Sequence, residues 1–168
     1  MKNILLTIFI TISSFCLSQN IKVVQLTNGG IFVESSRKVE SFMGSTITEN
    51  NKSFYVGSND KKSLISGVQK AIEWAELNKT HNKEFEKEIT RIRVMEKESY
   101  LFYKKFISEF SAECILNFYG IKNGDFKVSL GCPNISTSIK LESINDLKNL
   151  KNILNGKSGN SEIDNIFK

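Results

Sequence analysis

The stretch "AECILNFYGIKNGDFKVSLGCPN", Ala112 to Asn134, holds the only two cysteines outside the first twenty residues, and it constrains the fold more than any other segment. It reads as two extended runs around Lys122-Asn123-Gly124, the composition of a β-hairpin. Two registers compete. A two-residue Asn123-Gly124 turn sets Cys132 opposite Ile115, Leu116 opposite Gly131 and Phe118 opposite Ser129, mixing apolar and polar residues on each face. A three-residue loop, Lys122 to Gly124, pairs Ile121 with Asp125 and needs a left-handed third position, where a glycine stands. This register opposes Cys114 to Cys132, Leu116 to Leu130, Phe118 to Val128 and Gly120 to Phe126, leaving Asn117 with Ser129 and Tyr119 with Lys127 on the other face. A one-residue slip turns every side chain over, so a half-buried hairpin selects the second register. Directly opposed residues of a non-hydrogen-bonded pair have Cα atoms about 4.5 Å apart, which a disulfide can span. A cross-strand Cys114–Cys132 bond on the core face is therefore expected; the alternative is two buried thiols.

A disulfide needs an oxidising compartment. The N-terminus, "MKNILLTIFITISSFCLSQN", has a lysine, an apolar run from Ile4 to Ile12 and a small, polar end, the pattern of a secretory signal peptide. The run stops at Ser13, short of the roughly 20 apolar residues of a membrane span. Residues 1–18 are thus expected to be cleaved between Ser18 and Gln19, leaving no membrane span and an exported protein, periplasmic or secreted. A lipid anchor through Cys16 is the weaker reading, because the bulky Phe15 precedes it.

Residues 19–168 are then one α+β domain, long enough to bury a core unaided. Without Lys2 the chain has 22 basic and 18 acidic residues, a net charge of about +4 spread along the sequence. A nucleic-acid interface would cluster Lys and Arg with stacking aromatics, so nucleic acid is not an expected partner.

Lys22 to Val33 reads as a hairpin around "TNGG", with Asn28, Gly29 and Gly30 available for positive φ. "SFMGSTITENNKSFYVG" reads as a second extended pair turning at Glu49 to Lys52. Leu64, Val68, Ala71, Ile72 and Ala75 then recur at helical spacing, predicting an amphipathic helix over Ser63 to Asn78 with Ser58 or Asn59 as N-cap. Trp74 and Leu77 lie off that stripe. Either a second element covers them or they form a candidate interaction surface. A strand is expected over Ile89 to Met95, followed by a short helix or irregular segment in the aromatic "SYLFYKKFISEF". "STSIKLES" gives a strand with Ile139 and Leu141 inward, and Asn145 to Leu154 a helix burying Ile144, Leu147, Leu150 and Leu154. Ser161 and Asp164 resemble the start of a last short helix carrying Ile163, Ile166 and Phe167. The fold class is α+β: an antiparallel sheet of hairpins, two main helices packed on one face, and a C-terminal strand-helix unit.

Catalytic signatures are sparse. "NGKSG" lacks the spacing of a phosphate-binding loop. His81 is the single histidine, without the Cys or His spacing of a metal site or a Gly-x-Ser-x-Gly elbow. Acidic residues alternate with lysines in "NKEFEKE" and "MEKES", as on a solvated face. No catalytic residue, cofactor or metal is assigned. The sequence is read as a small exported, non-catalytic binding or interaction protein whose partner is another protein, met through the sheet face or the Trp74 side. Two alternatives stand beside it: a small envelope or secreted hydrolase using carboxylates with His81, requiring a pocket with two acidic residues, and a structural envelope component that self-associates through a sheet edge.

Overall fold

A computed structural model describes residues 19–40, 46–132 and 137–157. The expected leader with Cys16 and Ser18, and the short helix expected from Ser161, lie outside the described residues.

Seven strands form one antiparallel sheet in chain order: β1 (Gln19–Gln25), β2 (Ile31–Glu40), β3 (Thr46–Val56), β4 (Phe85–Glu96), β5 (Ser111–Gly120), β6 (Phe126–Cys132) and β7 (Thr137–Leu141). Helix α1 (Ser58–His81) connects β3 to β4, α2 (Lys97–Tyr103) follows β4, and α3 (Ile144–Leu154) follows β7. The α+β class with its strand-helix C-terminal unit is the observed architecture.

The β5–β6 hairpin has the three-residue register. Leu116 faces Leu130, Phe118 faces Val128 and Gly120 faces Phe126, with Asn117 opposite Ser129 and Tyr119 opposite Lys127. Ile121 and Asp125 close the turn through a backbone bond of 2.9 Å, and Gly124 takes the left-handed position at φ 87°. Along β5 the even-numbered residues from Ala112 to Gly120 are buried and the odd ones are not. Cys114 and Cys132, both buried, are joined by a disulfide. The β1–β2 turn has the same construction, with Gly29 at φ 79°; Asn28 and Gly30 keep ordinary backbone.

Two boundaries differ from expectation. No turn occurs at Glu49 to Lys52: β3 runs unbroken through it, with Lys52 opposite Ser35 and Glu49 opposite Arg37. The Asn-rich spelling favours a turn, but pairing with a ten-residue β2 supplies the backbone partners that hold it extended. Helix α1 starts five residues before Ser63 and ends three after Asn78. Its N-cap is Gly57, without a side-chain bond, while the Asp60 carboxylate accepts from the Arg93 backbone N–H on β4 (2.9 Å). Ser143, by contrast, caps α3 by accepting from the Asp146 N–H. The joints that lead into α1 and α3 thus use different capping.

The core lies between the sheet and α1 with α3. Leu64, Val68, Ala71, Ile72 and Ala75 of α1, and Leu147, Leu150 and Leu154 of α3, pack on Val33, Phe54, Val56, Ile92, Val94, Leu116, Phe118, Val128, Leu130, Ile139 and Leu141. Ile144 is only partly buried. At Gly67 the helix comes so close that an added Cβ would lie 2.7 Å from Thr90 Cγ2 and 2.9 Å from Leu116 Cδ2.

The sheet curls around this core. β3 and β4 share only the pairs Phe54–Glu96, Tyr55–Met95 and Val56–Val94, and register shifts interrupt β2 between Ser35 and Arg37 and β4 between Glu88 and Thr90. Such bulges bend strands. β1 and β7 are opposite edges, yet α3 starts directly after β7 and ends where Gln25 of β1 donates to the Ile153 and Leu154 carbonyls (3.1 and 3.3 Å). Eleven helical residues reach about 16 Å, whereas seven flat strands would span about 29 Å. The edges therefore approach one another, with α3 closing the gap between them.

Candidate binding cleft at Trp74

At the C-terminal end of α1 and the start of β4 is an open cleft of about 400 Å3, lined by Trp74, Leu77, Asn78, His81, Lys83, Phe85 and Lys87. The indole of Trp74 is half-buried, standing edge-on to Phe118 (centroids 5.7 Å apart) and Phe85 (6.1 Å). Phe85 itself stacks on Phe118, and Phe118 on Phe126. The outward side of the ring meets two cations: the Lys70 and Lys87 ammonium groups lie 5.1 and 5.4 Å from its centroid. Leu77, 54% exposed, stands beside it.

The alternating charge of "KEFEKE" is segregated rather than mixed. Strand alternation carries Lys83, Phe85 and Lys87 to the helix side, where they line the cleft. The intervening glutamates go to the opposite face: Glu84 pairs with Lys122 (3.1 Å), and Glu88 with Arg91, which also holds Glu113. Those contacts hold the Glu88 carboxyl below its ordinary range and push the Arg91 guanidinium upward, the hydrogen bonds being the largest cause of each. A stretch expected to be a uniformly solvated face thus presents cations to one side and anions to the other.

Asn78 fixes the geometry. Its amide is almost wholly buried, donating to the Ile121 and Asp125 carbonyls (3.1 and 2.8 Å) and accepting from the Lys83 N–H (3.1 Å). One side chain therefore ties the end of α1 to the β5–β6 turn and to the approach of β4. Its side-chain nitrogen is committed to those two bonds. The helix then stops at Asn82, left-handed at φ 51°, whose N–H returns to the Asn78 carbonyl.

The structure brings Trp74, Leu77 and His81 together. His81 is the last residue of α1, three residues past the helix end expected at Asn78. Among the described residues no Asp or Glu lines the cleft, so they do not assemble around His81 the acid pair that a glycosidase-type mechanism requires. Among the described residues no group of three or more His, Cys, Asp or Glu is placed to hold a metal ion, and no helix is long and apolar enough to cross a membrane. Lys70, Lys83, Phe85 and Lys87 were not singled out from sequence. The available signal was the two-residue period of "KEFEKE", which becomes informative only once β4 is known to begin at Phe85.

A second apolar surface lies on the other side of the sheet. Tyr55 and Tyr100 stack at 3.8 Å, Phe32 packs edge-on to both, and the Asn28 amide donates to the Tyr100 hydroxyl (2.8 Å). Burial, and then the neighbouring Tyr100, push the Tyr55 hydroxyl above its ordinary pKa. This stack anchors α2, in which no residue is buried and Phe102 is 79% exposed.

No family model matches the chain, and neither a curated protein nor a solved structure matches it.

Proposed function

We propose that this chain is a small, non-catalytic binding protein that engages another protein through the Trp74 cleft and the adjoining Leu77. The supporting observation is the lining: an aromatic and aliphatic wall with lysines around it and, among the described residues, no carboxylate to act with His81, a surface suited to holding a ligand. Half-exposed aromatics beside cations are enriched at sites that carry binding energy. The proposal extends to location: residues 1–18 are removed on export, and the 19–168 domain acts outside the cytoplasm. The disulfide is compatible with that compartment.

The test is site-specific photo-crosslinking in the producing cell. A benzophenone side chain at Leu77 is expected to give a discrete adduct, and one at Glu142, exposed beyond the far edge strand, is not. Equal labelling from both positions, or none from Leu77, refutes the assignment. N-terminal mass analysis of the same material is expected to find Gln19 as the first residue.

A further inference from the structure

We infer that the occupant of the Trp74 cleft is an acidic, extended polypeptide segment that seats one large apolar side chain against the indole and lays its carboxylates on Lys70, Lys83 and Lys87. This rests on the reading of the cleft as the binding site. It is carried by charge complementarity and spacing. Lys70 and Lys87 approach the same ring, and neither has an acidic partner within 4 Å among the described residues. Their potentials add there. Of the acids on α1 near the ring, Glu76 lies 4.0 Å from Lys148, and Glu73, which accepts from the neutral Gln69 amide (2.8 Å), keeps its charge but does not line the cleft. An anion entering the cleft thus meets lysines and, among the described residues, no lining carboxylate, and an apolar group meets Trp74, Leu77 and Phe85.

The spacing selects a chain over a small carboxylate. Lys83 stands two residues before β4 and Lys87 within it, at most about 13 Å apart along the chain, with Phe85 between them. A small carboxylate reaches one of these lysines; an extended segment with acids on either side of an apolar residue reaches both while filling the space between. The cleft, about 400 Å3 and open to solvent, accepts such a side chain without enclosing the backbone that carries it.

Trp74 is the only tryptophan, so its emission reports occupancy directly. The probe is a nine-residue synthetic peptide with a central leucine between two runs of aspartate, titrated into the full-length oxidised protein. Saturable change in Trp74 emission is expected, with affinity falling as salt is raised. Lys70→Gln with Lys87→Gln should weaken binding about tenfold; both side chains are exposed, and unchanged circular dichroism verifies the fold. Equal binding of a peptide with lysines in place of the aspartates, or of N-acetyl-leucine alone, overturns the proposal, as does an unaffected double variant. Binding that appears only after truncation beyond Lys157 assigns the cleft to the chain's own last residues, and a protein dimer that buries Trp74 assigns it to a second copy; either result also overturns it. If no peptide binds while the Leu77 crosslinker still captures a protein, the ligand class is wrong and the site stands. If both are silent, both fail.

Discussion

Asn78→Ala is the most informative single change for the fold around the cleft. The side chain is 2% exposed and makes three hydrogen bonds, two donated and one accepted, to groups 43, 47 and 5 residues away. A net contribution of about 1 kcal/mol per bond gives about 3 kcal/mol. Two corrections reduce this. Alanine is the better helix former, by about 0.6 kcal/mol, and water reaches the freed Ile121, Asp125 and Lys83 backbone groups because those residues are exposed. The expected loss is therefore about 2 kcal/mol, a fall in Tm of about 4–8 °C for a domain of this size. Asn78→Asp discriminates the mechanism, since a carboxylate cannot donate and would point negative charge at two carbonyl oxygens. It should cost more than alanine at pH 7. Urea unfolding followed by Trp74 emission measures both. If Asn78→Asp were as stable as wild type, or alanine cost under about 0.5 kcal/mol, the side chain would not be holding the two elements together.

Three further outcomes follow from particular contacts. The Cys114–Cys132 bond closes a separation of 18 residues, so Cys114→Ser with Cys132→Ser should lower stability by about 3 kcal/mol in the chain-entropy model, read as the urea midpoint against the oxidised protein. Glu34 accepts from Lys97 at 2.5 Å with both side chains under a third exposed, and that hydrogen bond is the main cause of its lowered pKa. A depressed carboxyl stabilises above its unfolded pKa of about 4.3 and loses that contribution as pH falls through the folded value. Glu34→Gln should therefore cost about 1 kcal/mol at pH 7 and nothing by about pH 2, in paired urea titrations. Gly67→Ala sets about 1 kcal/mol of helix propensity against overpacking of Thr90 and the buried Leu116, which costs about 1–3 kcal/mol; a net loss is expected, and a stabilised variant would mean that the helix shifts away freely.

What the amino-acid pattern reveals depends on how many constraints meet at one place. The β5–β6 hairpin was legible because turn chemistry at Gly124, strict alternation and the two cysteines all demand one register. The helix faces of α1 and α3 were legible because apolar periodicity is unbroken there. β4 was only half legible. The shift between Glu88 and Thr90 changes the parity of the strand, so Phe85 and Lys87 face the helix on one side of it and Thr90, Ile92 and Val94 on the other. No single two-residue period spans the element, and the cleft residues lie on the side that the pattern loses. Trp74 and Leu77 stood out because they broke a helical stripe. Asn78 could not stand out, because its partners are backbone carbonyls that only the finished turn brings near. The turn expected at Glu49 to Lys52 failed for the opposite reason: a local spelling was overruled by a neighbouring strand.

The bond from Gln25 to Ile153 spans 128 residues and connects β1 to α3. Gln25 is synthesised 128 residues before Ile153, so the curled sheet has no means of sealing itself until α3 has emerged. β1, β2 and β3 can pair early as local hairpins, but their apolar face waits for α1, and the gap between the outer strands waits for α3. Closure thus waits for Ile144–Leu154 to be made. A ribosome stalled before residue 144 should hold a chain whose first hairpins are formed and whose core remains open to protease.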